Sequence, residues 1–318
     1  MSVAKKKYER NLSIRSNILS TIAYFNFFTY PLKKREIWLF LPNVYEYIEF
    51  EIALQLLVNN ASIYKIEEFF SLENNYTIVQ RRVRGNIKAK ELIKVAEKIA
   101  LFLSKFPFVR GIAVSGLLSK KFADDTSGID LFIVAAKNRL WIARTFIHFY
   151  KKFTFLIKKQ PLFYTNYFIE EEHLEIAEKN IYTATEISTL LPLQGSVAFE
   201  KFYSYNKWIN TFLPNKYLRI SSAKKIKKPW TKWMTEAMLN NVIGNALDDL
   251  FMRITAKRWM ARSGKTKMKS CGIITDISAT KYYAKAAPFT FENKLIDQYE
   301  RKVIELMNKK EMILKPIL

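Results

Sequence analysis

The stretch that decides the fold is residues 108–134, FVRGIAVSGLLSKKFADDTSGIDLFIV. It begins with an apolar run that ends at Gly116, and such a run predicts a buried strand followed by a turn. After a short basic segment and the polar loop 123–128, a second apolar run at 129–135 predicts another strand. This second strand carries one carboxylate, Asp130. The stretch therefore predicts two strands that follow one another through a glycine turn, with one acidic side chain on the second.

The flanking segments extend these two strands into a small mixed-sheet core over residues 87–180. Residues 87–105 have the apolar spacing of a long amphipathic helix, and residues 138–155 predict a helix directly after the second strand. A third strand is expected at 162–169, with Asn166 near its centre. The order of elements predicts a sheet in which helices pack against the strands.

The first 86 residues predict a winged-helix-like domain, which has three helices followed by a two-stranded hairpin. The expected helices are residues 13–28, 32–41 and 44–58, and the expected strands are 62–72 and 76–83. The third helix carries Glu46, Glu49 and Glu51 and no lysine or arginine, so DNA phosphates would repel it. A structural or protein-contact role is favoured, while Arg81 and Arg82 on the wing side leave DNA binding open.

The remaining residues, 181–318, predict a helical C-terminal domain, so the fold class expected for the whole chain is α+β. Helices are expected at residues 183–191, 196–212, 230–260 and 291–309, with an exposed basic linker at 221–228. The apolar spacing within 230–260 is typical of a helix that packs on a core. Residues 257–269 hold six lysines and arginines together with Trp259. This run is interpreted either as an exposed interdomain loop or as a phosphate or RNA contact.

Composition and charge limit the function classes. The 318 residues have a formal net charge of +23, which favours polyanions such as nucleic acid as partners, unless it reflects a bias spread over the whole chain. One cysteine excludes a disulfide framework, and two distant histidines make a zinc site improbable. No signal peptide and no long uncharged apolar run are found, so we expect a cytoplasmic protein with no membrane partner.

The strand, glycine turn and carboxylate of residues 114–133 resemble the polymerase-β-like nucleotidyltransferase superfamily. The order of a winged-helix-like domain, this core and a helical C-terminus is similar to uncharacterised bacterial nucleotidyltransferase-domain proteins. Further matches to that group are NRLWIAR at 138–144, NIYTATEI at 180–187 and AFEKF at 198–202. In such a site a glycine lets backbone N–H groups approach a triphosphate, and paired carboxylates on one strand hold divalent metal.

The resemblance implies an enzyme that transfers a nucleotidyl group from a nucleoside triphosphate to an unknown acceptor. Asp130 would be the catalytic residue and would bind Mg²⁺ as cofactor. The nucleotide would be bound by residues of the turn, the basic segment after it and the next helix. These residues are Ser115, Gly116, Ser119, Lys120 and Arg139.

The sequence departs from the superfamily pattern at positions that the chemistry needs. Leu117 replaces the serine that follows the glycine, although Ser115 or Ser119 could substitute for its hydroxyl. Gly128 replaces the first aspartate of the pair. In the superfamily a third carboxylate, from a neighbouring strand, usually completes the metal site, and Asn166 is expected at its position here. A degenerate member that binds nucleotide with weak or no turnover is therefore expected. The alternative is a non-catalytic nucleic-acid-binding or regulatory protein that uses its basic surface.

Overall fold

The computed structural model describes residues 3–156, 163–216, 223–266, 278–285 and 296–305. These residues form an α+β fold with mixed strand directions, as the sequence predicts. In this described part of the chain, no helix combines the length and the apolar composition that crossing a membrane requires.

The N-terminal unit consists of three helices and a small antiparallel sheet. Its elements are α1 (Val3–Asn26), β1 (Leu32–Lys33), α2 (Lys34–Leu39), α3 (Tyr47–Asn59), β2 (Tyr64–Ile66) and β3 (Phe69–Ser71). The strands pair in the order β1-β3-β2. Apolar side chains spaced one helical turn apart, including Ile14, Ile18 and Ile22 of α1, are buried in its core. The three predicted helices are present. The predicted hairpin is misplaced, because β2 and β3 form it and both lie within the single strand predicted at 62–72.

The predicted strand at residues 76–83 is wrong, because these residues begin helix α4 (Tyr76–Leu103). Asn75, expected in a hairpin turn, instead caps this helix: its side-chain oxygen accepts a hydrogen bond from the Thr77 backbone N–H at 3.0 Å. Several β-branched residues make the segment read locally as a strand. Its buried positions, Ile78, Arg82 and Gly85, nevertheless recur at helical spacing. Tertiary packing therefore overrides the local preference.

The predicted strands of the core are confirmed. The chain runs through β4 (Val109–Val114), α5 (Gly116–Ser119), β5 (Ile129–Ala135), α6 (Leu140–Leu156) and β6 (Phe163–Glu170). Strand β4 pairs with β5 antiparallel, and β5 pairs with β6 parallel through the crossover helix α6. Both faces of β5 are apolar and buried except at Asp130, which is half-buried. A mixed sheet thus places the one carboxylate of β5 near its N-terminal end.

The C-terminal residues add helices on the outside and strands at both edges of this sheet. They form α7 (Ile181–Thr189), β7 (Leu191–Gln194), α8 (Ser196–Tyr205), α9 (Ile209–Phe212), α10 (Trp230–Leu239), α11 (Val242–Thr266), β8 (Ser278–Ala279) and β9 (Tyr283–Lys285). The six strands lie in the order β7-β4-β5-β6-β9-β8. The sheet therefore contains strands from both sides of residue 180, where the sequence places a domain boundary.

Two long helices expected at the C-terminus are each divided in the structure. The predicted helix 196–212 is α8 and α9, and the predicted helix 230–260 is α10 and α11, with a break at Asn240 and Asn241. Of the expected last helix at 291–309, residues 296–305 are helical, and the others lie outside the described residues. Part of the expected linker at 221–228 lies outside them as well.

The arginines that the sequence places on a wing are instead engaged within the chain. The Arg82 guanidinium forms an ion pair with Glu36 at 2.7 Å and lies 3.6 Å from the centre of the Tyr30 ring. Arg81 pairs with Asp124 at 2.6 Å. The Tyr30 hydroxyl donates to the Lys120 carbonyl at 2.7 Å. The Arg82 contacts join the N-terminal unit to α4, and the Arg81 contact joins α4 to the segment between β4 and β5. The Tyr30 hydrogen bond joins the N-terminal unit to that segment directly, close to the turn at which the candidate site begins.

Candidate functional site

A cavity of about 250 Å³ lies beside the sheet where β4 ends and β5 begins. Residues of α5, β5, β6, α7 and β9 and of the loops next to them line this cavity, which we call the Asp130 cavity. Its polar lining includes Ser115, Gly116, Asp130, Asn166, Glu178, Tyr182, Thr183, Glu186 and Lys285. Strand pairing explains why the first four meet: Val114 lies opposite Leu131, and the parallel register sets β6 beside β5.

Gly116 is required at the turn for two reasons. Its φ of +66° lies in the left-handed region, which side chains other than glycine adopt at a cost. A Cβ at this position would also lie 2.9 Å from the Asp130 Oδ2 atom. The glycine therefore allows the turn to pass close to the Asp130 carboxylate.

Asp130 is held by its neighbour on β6. The Asn166 Nδ2 group donates a hydrogen bond to Asp130 Oδ1 at 2.7 Å. Burial raises the pKa of the Asp130 carboxyl above its ordinary value, and this effect outweighs the opposing hydrogen bond from Asn166. Nearby Glu186 raises this pKa further, while Lys120 lowers it.

The residues at this position do not fit the expected Mg²⁺ cofactor. A hard cation needs several oxygen ligands, and Asn166 directs its N–H group, not its oxygen, at Asp130. An aspartate cannot be added simply at Gly128, because even a Cβ there would overlap the Tyr164 ring. Within the described ranges no group of three or more acidic, histidine or cysteine side chains could hold a metal ion. No catalytic step through Mg²⁺ is derived from this site.

Two of the predicted nucleotide-binding residues, Ser119 and Lys120, stabilise the turn through hydrogen bonds to the Gly116 carbonyl. Ser119 is fully buried, and its hydroxyl donates to the Gly116 carbonyl at 2.7 Å. The Lys120 ammonium donates to the same carbonyl at 3.2 Å and forms an ion pair with Glu186 at 2.7 Å. Neither side chain is among the described residues that line the cavity. Both still fix the position of Gly116, and Lys120 also fixes a carboxylate of the cavity wall.

The structure does not bring Arg139 to this site. Arg139 follows the other end of β5, where its buried guanidinium donates to the Leu239 carbonyl at 2.9 Å and to the Asn241 carbonyl at 3.1 Å. It thereby satisfies carbonyl groups at the end of α10 and the following break. The two acids of the loop before β5 are also absent from the lining of the cavity: Asp124 pairs with Arg81, and Asp125 pairs with Lys88.

Several residues of the cavity were not expected from the sequence. Phe132 and Tyr167 form a stacked pair on its wall, with ring centres 5.1 Å apart and planes inclined by 12°. Lys285 lies 3.7 Å from Glu178, and this pair closes the cavity on the β9 side. Glu186 falls within the matched segment 180–187, which offered a signal for it. Lys285 belongs to no recognisable pattern.

No protein-family model, curated protein or solved structure matches this chain.

Proposed function

We propose that this chain is a nucleotidyltransferase-fold protein that binds a nucleotide in the Asp130 cavity and transfers its nucleotidyl group weakly or not at all. The order of β4, the Gly116 turn, β5 and β6 supports this reading, because it sets Gly116, Asp130 and Asn166 around one cavity. The contact between Asp130 and Asn166 is the observation that carries the proposal. This contact keeps the Asp130 carboxylate in place. The Asn166 amide cannot serve as the further acid that catalysis by the superfamily would need.

The cavity suits the base and sugar of a nucleotide better than its phosphates. The Phe132 and Tyr167 rings form an apolar aromatic wall on which a base can pack. Asp130 accepts hydrogen bonds from a hydroxyl or amino group, and burial strengthens such bonds. At about 250 Å³ the cavity is slightly smaller than the roughly 300–1,000 Å³ common for ligand pockets, so the phosphates extend beyond it.

Weak or absent turnover follows from the charges around the cavity. Nucleotidyl transfer depends on positioned phosphates and on cations that neutralise the charge developing in the transition state. Lys120 and Lys285 are paired with Glu186 and Glu178, so their charge is already balanced. Leu117 supplies no hydroxyl to a phosphate.

Calorimetric titration with the four ribonucleoside triphosphates, with and without Mg²⁺, tests this function. The wild-type protein is expected to bind at least one of them with little dependence on Mg²⁺. Asp130→Asn is expected to weaken binding roughly tenfold or more, since a hydrogen bond to a charged group contributes about 1.5–3 kcal/mol. Asp125→Asn is the matched control, because Asp125 is exposed and pairs with Lys88 away from the cavity.

Two results would contradict the proposal. Absence of binding to the wild-type protein, or equal binding by the wild type and Asp130→Asn, would exclude the cavity as a nucleotide site. Rapid Mg²⁺-dependent release of pyrophosphate would contradict the assignment of weak or absent turnover.

A further inference from the structure

A second opening lies between α6 and α11 and shares no described lining residue with the Asp130 cavity. Its volume is about 340 Å³, and we call it the α6–α11 cleft. One face of each helix lines it, with side chains that recur every three or four residues. They are Arg144, Thr145, His148, Phe149 and Lys152 of α6, and Phe251, Ile254, Thr255, Arg258 and Trp259 of α11.

The described residues that line this cleft are positively charged, polar or apolar, and none of them is a carboxylate. Across the described part of the chain, Arg144, Lys152 and Arg258 form no ion pair, whereas most arginines of the N-terminal unit and core are bound to acids or carbonyls. Asp248, an acid of α11 near the start of α6, is already engaged, since it accepts the Ile142 backbone N–H at 2.8 Å. The cleft therefore concentrates positive charge that no acid among the described residues neutralises by an ion pair.

Arg144 is the residue of the cleft that is best suited to bind an anion. Its guanidinium lies 4.7 Å from the centre of the Trp259 ring and 5.6 Å from that of Trp141. An arginine has five N–H donors, but in the described structure this one makes a single, long hydrogen bond, 3.5 Å to Thr255 Oγ1. Burial lowers the pKa of Arg144 to about 10, so it stays charged at neutral pH while partly removed from water. An anion in the cleft would supply the missing acceptors.

Aromatic side chains accompany these cations on the same helix. Phe149 lines the cleft and is 63% exposed, and Phe153, one turn further along α6, is 60% exposed. In sequence the basic character continues past Arg258, since residues 257–269 contain six lysines and arginines. Cations that alternate with exposed aromatic rings are the surface on which single-stranded nucleic acid binds, because phosphates meet the cations and bases stack on the rings.

We infer that the α6–α11 cleft binds the phosphate backbone of single-stranded nucleic acid. Arg144, Arg258 and Lys152 contact phosphates, and Phe149 stacks with a base. This site lies apart from the Asp130 cavity, and its argument does not depend on the nucleotide proposed there. A free nucleotide shares the phosphate chemistry but would leave the second exposed aromatic ring, Phe153, without a role.

Fluorescence anisotropy with a labelled 20-nucleotide single strand tests the inference on the full chain. Lys152→Gln/Arg258→Gln is the main variant, since both side chains are exposed and their loss leaves the fold intact. Lys94→Gln/Lys98→Gln is the matched control, because it removes the same charge from exposed positions of α4. The cleft variant is expected to bind roughly tenfold more weakly than the control. Its salt dependence is expected to fall by about 1.4 in log–log slope, for two lost single-strand phosphate contacts.

Phe149→Ala and Arg144→Gln provide independent readouts. Phe149→Ala keeps the charge, so loss of affinity with an unchanged salt slope identifies base stacking. Arg144→Gln is checked by circular dichroism for folding and is expected to weaken binding at least as much as Arg258→Gln. Equal binding by the cleft variant and the control would overturn the inference. So would binding to ATP or to anionic phosphatidylserine vesicles with no binding to the oligonucleotide.

Discussion

The Asp130 cavity and the α6–α11 cleft differ in whether their cations are paired with acids. In the cavity, Lys120 and Lys285 are paired with Glu186 and Glu178. In the cleft, Arg144 and Arg258 form no ion pair within the described structure. Within the net charge of +23, individual cations therefore differ in whether an acid pairs with them. A cation is available to a partner only where the fold leaves it without an acid, and a sum over the sequence cannot reveal where that is.

The buried acid between α6 and α11 gives the largest expected effect. Burial raises the pKa of Asp248 to about 7, far above its ordinary value of 3.8. Its contribution to stability is therefore present below about pH 4 and is lost as pH rises towards 7. This loss amounts to a few kcal/mol, at roughly 1.4 kcal/mol for each pKa unit. In urea unfolding between pH 4 and 8, Asp248→Asn is expected to remove this part of the pH dependence.

Asp249→Asn is the control for that measurement, because Asp249 is next in sequence but only partly buried. It is expected to keep the pH dependence of the wild type. If Asp248→Asn retained the full dependence, Asp248 would be ionised in the folded protein throughout this range. The cleft would then have a charged carboxylate at one end, and the contrast with the cavity would weaken.

A smaller effect is expected at the turn of the Asp130 cavity. Gly116→Ala is expected to destabilise the protein by about 1–2 kcal/mol, because φ is +66° and the new Cβ would lie 2.9 Å from Asp130 Oδ2. It should weaken nucleotide binding as well, without changing oligonucleotide binding. Thermal unfolding and the two binding assays measure these effects.

A double-mutant cycle separates the two causes at Gly116. In the Asp130→Ala background the clash is absent, so Gly116→Ala should cost less and only the backbone term should remain. Strictly additive effects of the two substitutions would mean that the close approach of turn and carboxylate contributes nothing.

The smallest expected effect tests charge pairing itself. Glu186→Gln leaves Lys120 without its acid and should make the cavity more positive. We expect ATP affinity to rise roughly fivefold relative to adenosine, for an electrostatic gain of about 1 kcal/mol. Glu175→Gln is the control, since Glu175 pairs with Lys179 on the surface. An unchanged ratio of ATP to adenosine affinity would show that the Lys120–Glu186 ion pair does not control the affinity of the cavity for anions.

The core strands and part of the site can be predicted from sequence because local signals and tertiary packing agree there. Apolar runs bounded by glycine and polar loops define β4 and β5, and side chains on them meet because adjacent strands align. The meeting of Gly116 with Asp130, and of Asp130 with Asn166, follows from that alignment. These contacts lie within one continuous segment, residues 116–166.

The rest depends on contacts that no local pattern encodes. Residues 76–83 favour a strand locally but become helical, because Ile78, Arg82 and Gly85 pack on one face of α4. Arg139 lies in a matched motif, yet the end of α10, a hundred residues away, binds it. Lys285 reaches the cavity through β9, at the sheet edge formed by the last described strands. Long-range pairing, not propensity, decides each of these positions.

The central claim is that the Asp130 cavity and the α6–α11 cleft are two separate binding regions. A competition experiment tests this claim directly. A labelled oligonucleotide is bound to the protein at low ionic strength, and the nucleotide that binds by calorimetry is then added until the cavity is saturated. A parallel titration with sodium triphosphate at equal ionic strength is the reference for the effect of added salt. We predict that the oligonucleotide's dissociation constant stays within about twofold of the reference. Complete displacement at the nucleotide's own dissociation constant would contradict two regions and leave a single site.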